Sequence, residues 1–130
     1  DTIPSLWVID KLSVEYTEDE TIRRGNASFT LTDNQRKTAE NLRCELRSNY
    51  VCEFQGTPED RDLNIWVQLN SGMARFTLNR TLVGCAENGS RNAYLIGQTE
   101  LYLECDGEEL EGLHCRDDGT EGVANGSVVL

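Results

Sequence analysis

Apolar and polar residues alternate along most of this chain, and no stretch keeps a helical period for more than a turn or so. GNASFTLTD sets Ala27, Phe29 and Leu31 on one face and Ser28, Thr30 and Thr32 on the other, the pattern of a half-buried strand. DLNIWVQLN does the same with Leu63, Ile65, Val67 and Leu69, and after the turn NSGM the run ARFTLN continues with Ala74, Phe76 and Leu78. One antiparallel register serves both runs: Leu69 faces Ala74, Val67 faces Phe76 and Ile65 faces Leu78, so all their apolar residues turn inward together. In LWVIDKLSVEYT the inward parity changes between Ile9 and Leu12, which predicts a bulge near Asp10. RNAYLIGQTELYLEC predicts a long strand that bends at Gly97, with Leu101, Leu103 and Cys105 on one face. GVANGSVVL predicts a closing strand with Ala124, Val128 and Leu130 inward. About eight to ten short strands, with no repeat and no Pro-rich linker, predict an all-β fold, an antiparallel β-barrel or sandwich. Its 130 residues fit a single domain, 1–130.

Five cysteines interrupt this pattern. With RSN as a three-residue turn, Leu46 lies opposite Tyr50, Cys44 opposite Cys52 and Leu42 opposite Phe54, all facing the same way. Opposed residues of a hairpin have α-carbons about 4.5 to 5.5 Å apart, within reach of a disulfide. Cys105 and Cys115 bracket the acidic loop DGEELEGLH and can close it in the same manner. Cys85 is then unpaired, or joins two chains as a homodimer. A different pairing, with Cys44 or Cys52 bridged to Cys85 across a barrel, stays open. Zinc is disfavoured because the spacings are wide and His114 is the only histidine. A Cys85 nucleophile with His114 as base lacks a local signature, since VGCAENGS opens no helix.

Charge narrows the partners. A formal net charge of −11 repels nucleic acid and anionic lipid, which need clustered Lys and Arg. No apolar run approaches the roughly 18 residues of a membrane-spanning helix, and no segment has the charged start and apolar middle of a signal peptide. Four N-x-S/T sequons, at Asn26, Asn79, Asn88 and Asn125, together with the cysteines, predict passage through an oxidising secretory compartment and extracellular residence. Asn26, Asn79 and Asn125 fall on the outward parity of their strands, and Asn88 lies in the loop AENGSRN.

The acidic runs YTEDE, TPEDRD, DGEELE and RDDGTE all occupy turn-like stretches and are expected to be solvated. They carry no calcium-loop signature, and a hydrolase built on any pair of them would need two carboxylates roughly 5 to 10 Å apart in a cleft. No catalytic residue, cofactor or metal is assigned. One strand face does suggest binding. Outward parity sets Asn64, Trp66 and Gln68 beside Arg75, Thr77 and Asn79, pairing Gln68 with Arg75, Trp66 with Thr77 and Asn64 with Asn79. A flat aromatic ringed by amides and a guanidinium suits a sugar or a protein partner.

The segments GNASFTLTD, LRCELRSNYVCEF, DLNIWVQLN and LYLEC resemble small secreted fungal proteins of the hypersensitive-response-inducing elicitor type and, more distantly, the β-barrel family of fungal major allergens. The resemblance lies in strand pattern and cysteine placement. It implies a secreted, disulfide-bonded, non-enzymatic β-barrel that triggers plant cell death and defence when recognised by a host protein or cell-surface component. It supplies no catalytic residue to carry over. The alternative expectation is a barrel that binds glycans or small ligands.

Overall fold

A computed structural model of the chain describes residues 6–18, 23–47, 49–70, 72–82, 93–106 and 113–129. They form ten strands: β1 (Leu6–Glu18), β2 (Arg23–Asp33), β3 (Thr38–Leu46), β4 (Val51–Gln55), β5 (Leu63–Asn70), β6 (Met73–Leu82), β7 (Ala93–Asp106), β8 (Leu113–Asp117), β9 (Gly122–Asn125) and β10 (Ser127–Val129). Eight make one continuous antiparallel path, β3-β2-β1-β8-β7-β6-β5-β4, with β9 on β1 and β10 on β7. The sheet curls until its two ends, β3 and β4, lie side by side. The result is a nearly closed barrel.

Alternation explains the core. The β5–β6 ladder pairs Leu69 with Ala74, Val67 with Phe76 and Ile65 with Leu78, so these inward residues pack together, buried except for the half-buried Leu69. In β1 the register shifts between Asp10 and Ser13, and Lys11 adopts a φ of 53°. That bulge turns Ile9 and Leu12 to the same side although their sequence parity differs, and both are buried. Phe29 meets Phe76 and Phe54 edge-on, with ring centroids 5.0 and 5.8 Å apart, a favoured geometry for aromatic pairs. β7 runs without a break in register through Gly97, and the glycine serves close packing: a β-carbon there would lie 3.0 Å from the Trp7 ring and 3.0 Å from the carbonyl of Asn125. Only a glycine lets the buried indole and the last strands approach so closely.

The closing segment departs from its expected parity. Ala124 is buried, but Val128 is 58% exposed. The segment breaks at Gly126, whose missing side chain makes room for Leu95; β9 stays on β1 while β10 crosses to pair with β7. Leu130 lies outside the described residues.

Disulfides join Cys44 to Cys52 and Cys105 to Cys115, and their roles differ. Cys105 and Cys115 are directly opposed in the β7–β8 ladder, so that bridge reinforces strands already hydrogen-bonded. Cys44 and Cys52 do not share a ladder, since Cys44 pairs with Ala27 and Cys52 with Val67. β3 hydrogen-bonds to β2 and β4 to β5, which makes the predicted hairpin the seam of the barrel. A short turn closes one end of this seam, with the Arg47 amide donating to the Val51 carbonyl at 2.9 Å. At the other end, Glu40 of β3 accepts from the Thr57 hydroxyl at 2.7 Å and the Glu59 amide at 2.9 Å. The bridge lies between, with α-carbons 5.9 Å apart. Cys85 lies outside the described residues.

That second end is capped by ions. Arg80 continues the inward parity of Ala74, Phe76 and Leu78, and its guanidinium donates to Asp60, with Nε to Oδ2 at 2.7 Å, and to Asp33. Arg36 reaches the same Asp60 at 3.0 Å. Burial opposes the Arg80 charge, but the hydrogen bonds and negative charges of Asp33 and Asp60 outweigh it and raise its pKa. Arg80 also lies 5.6 Å from the centre of the Trp7 ring, a cation–π distance. The run TPEDRD is therefore not simply a solvated loop, since Asp60 is only 6% exposed. Its backbone leaves β4, docks on β3 and brings a carboxylate to a cation the core could not otherwise hold.

Candidate recognition face

On the outside of the barrel, β4, β5 and β6 present three rows of side chains. In the middle row Trp66 lies between Glu53 of β4 and Thr77 of β6. Toward the ion cluster, Asn64 lies between Gln55 and Asn79; toward the other end, Gln68 is paired with Arg75. The inward neighbours Ile65 and Val67 are buried, which forces Trp66 outward. The indole is 41% exposed.

A groove of about 420 Å³ runs along this face. It gathers Asn64, Trp66, Thr77 and Asn79 from the residues set on this face by sequence, and adds Glu53 and Gln55. Gln68 and Arg75 stand one row beyond it. Arg75 is engaged with Glu100 of β7, its Nε donating at 3.1 Å, and Thr77 accepts from the Gln98 side-chain amide at 3.1 Å. Glu53 is held by Arg47 at 2.8 Å. Asn79 is the exception: its Oδ1 is buried and has no hydrogen-bond partner among the described residues. The face thus offers a flat apolar plate edged with amides, a hydroxyl and a carboxylate. Such a set stacks a ring and hydrogen-bonds its rim.

Glu53 and Gln55 were not legible as site residues while β4 was read as the hairpin partner of β3. The signal available was the parity of VCEFQ, which turns both outward once β4 is set beside β5.

The remaining candidates fall elsewhere. Cys85 and the sequon at Asn88 lie outside the described residues. Asn26 is half-buried and Asn125 exposed, each on the outer side of its strand. His114, expected in a loop, is in β8 opposite Glu15, with Nδ1 3.7 Å from its carboxylate and both groups exposed. Several acids have structural duties. Asp33 accepts from the Gln35 and Arg36 amides in its own turn, and Asp118 accepts from the Thr120 amide. Among the described residues no three His, Cys, Asp or Glu side chains gather as a metal-ligand set. Compared with known proteins, the chain matches no family model and no curated sequence, so the meaning of this face rests on its own residues.

Proposed function

We propose that the protein is a secreted, non-enzymatic effector of the elicitor type, whose outer β4–β6 face is recognised by a host plant component, with plant cell death and defence as the outcome. The observation that carries the reading is the Trp66 groove. An exposed indole framed by hydrogen-bonding groups on a rigid sheet has the composition of a binding hot spot. Two disulfides, one of them across the barrel seam, suit a protein that must keep its shape in an oxidising exterior. The resemblance of its strand and cysteine layout to fungal elicitors supplies the biological direction. Infiltration of the purified protein into leaves of several plant species tests the reading, and the expected result is local necrosis or defence-gene induction. Leaves that stay unresponsive in every species would count against it.

A second reading has its own support. The amides of Asn64 and Asn79 and the Thr77 hydroxyl surround the indole as the polar rim of a carbohydrate site does. On this reading wild-type protein binds members of a glycan array and Trp66→Ala binds none of them. Equal binding by the two proteins removes the face from consideration.

A further inference from the structure

We propose that Asn79 carries an N-linked glycan whose first N-acetylglucosamine lies in the groove against the Trp66 ring. The inference rests on the secretory part of the reading above and not on recognition by a plant, with which a sugar laid on the indole competes at Trp66. The sequon Asn79-Arg80-Thr81 lies in β6, and its middle residue is anchored inward by Asp33 and Asp60. Burial of Arg80 in that cluster fixes the register, so Asn79 and Thr81 must face out. Asn79 then lines the groove directly opposite Asn64 and diagonal to Trp66, two residues along β5. Diagonal partners are about 7–8 Å apart, within the span of one sugar ring attached to the amide.

The chemistry of the groove matches that sugar. N-acetylglucosamine presents a face of C–H groups that covers an indole, and a rim of hydroxyls and an acetamide N–H. The rim meets the side chains of Asn64, Gln55 and Glu53. The groove volume, about 420 Å³, is that of a small-ligand site, and a covalently attached ring fills it without the entropic cost of capture from solution. In the linking step, Asn79 Nδ2 forms a bond to C1 of the sugar of a lipid-linked diphosphate oligosaccharide. The C1–O bond to the diphosphate breaks, the amide gives up one proton, and the lipid diphosphate leaves. Transfer to the chain before it folds makes the half-buried position of Asn79 in the finished barrel no obstacle. Gln68 and Arg75, one row away, lie outside the groove that the sugar fills.

The two tryptophans make the test readable. Trp7 is 0% exposed and Trp66 41%, so acrylamide quenching of the native fluorescence reports Trp66. The chain is secreted from a eukaryotic host, its glycopeptides are mapped, and quenching is compared with that of Thr81→Ala, which lacks only this sequon. Asn79 is expected to be occupied, and the quenching constant to be about twofold lower in the wild type, as one stacked face would give. Trimming each glycan to a single N-acetylglucosamine keeps the protection, and Thr81→Ser, which preserves the sequon, restores it. The proposal is overturned if Asn79 is vacant in secreted protein whose Asn26 or Asn125 is occupied, or if wild type and Thr81→Ala are quenched equally. A chain vacant at Asn79 yet active in leaves overturns this proposal alone; a shielded Trp66 in a chain inert toward leaves overturns only the elicitor reading.

Discussion

Removing the two disulfides one at a time should expose how the barrel is closed. Chain-entropy arithmetic treats them almost alike. Loops of 8 and 10 residues give stabilisations of about 2.5 and 2.7 kcal/mol through the unfolded state. Each bridge has one deeply buried cysteine, Cys52 or Cys115, and they differ at the other, Cys44 being half-buried and Cys105 exposed. The structure nevertheless predicts different local consequences. Cys105→Ala/Cys115→Ala leaves β7 and β8 joined by ladder hydrogen bonds, so their amides continue to exchange only on deep unfolding. Cys44→Ala/Cys52→Ala leaves β3 and β4 joined at their tips, by the Arg47–Val51 hydrogen bond and the Glu40 contacts. Both pairs should lose roughly 2 to 3 kcal/mol in urea denaturation. Only the second should also free the amides of β3 and β4 to exchange through opening of the seam while the rest of the barrel stays protected. Cys85→Ser in both backgrounds prevents thiol exchange from confusing the comparison. Native-state hydrogen exchange decides the matter. Equal protection of β3 and β4 in the two variants would refute the seam.

Other outcomes follow from single sites. Arg80→Met removes the buried guanidinium shared by Asp33 and Asp60, with Arg36 still on Asp60, and should cost about 3–5 kcal/mol, while Arg75→Ala breaks only the exposed pair with Glu100 and should cost about 0–1 kcal/mol; comparable losses in urea would contradict the ion cap. Gly97→Ala drives a methyl into the Trp7 ring and the Asn125 carbonyl, and should lower stability by about 1–3 kcal/mol in thermal denaturation, with part regained by Trp7→Phe. The Thr120 hydroxyl and amide hold the Asp118 carboxyl below its ordinary pKa of 3.8. Whatever stability this adds is present above the unfolded value and lost as pH falls through the folded one. NMR titration should find Asp118 ionising below 3.8 in the wild type and shifting upward in Thr120→Val, and no upward shift would remove the hydroxyl from the explanation.

The sequence showed most where alternation was cleanest. For β5 and β6 a single register satisfied every apolar residue, and the same parity turned Trp66 outward. Parity also located the β1 bulge, because Ile9 and Leu12 cannot both be buried without one. What it could not show was which strand supplies hydrogen bonds to which. The opposed pairs Leu42 with Phe54 and Cys44 with Cys52 look the same whether β3 and β4 share a ladder or a seam. Curvature of the whole sheet decides that, and curvature is not local. The ion cluster was missed for a related reason: Asp60 and Asp33 are 20 and 47 positions from Arg80, and TPEDRD has the composition of an exposed turn. A clue was present in Arg80 itself, an inward-parity cation that required a buried partner. The break at Gly126 hid the exposure of Val128, since a glycine inside a short strand pattern marks equally a bulge or a change of partner.

The claim on which the functional account depends is that the outer β4–β6 face is what a plant recognises. It is tested most directly by dose–response infiltration of leaves with folded, disulfide-bonded wild type, Trp66→Ala, Arg75→Ala and, as a control on the outer face of β3, Arg43→Ala. Loss of a hot-spot aromatic should raise the dose of Trp66→Ala needed for necrosis about tenfold or more, with a smaller rise for Arg75→Ala and none for Arg43→Ala. Trp66→Ala that kills tissue at the wild-type dose would contradict the account.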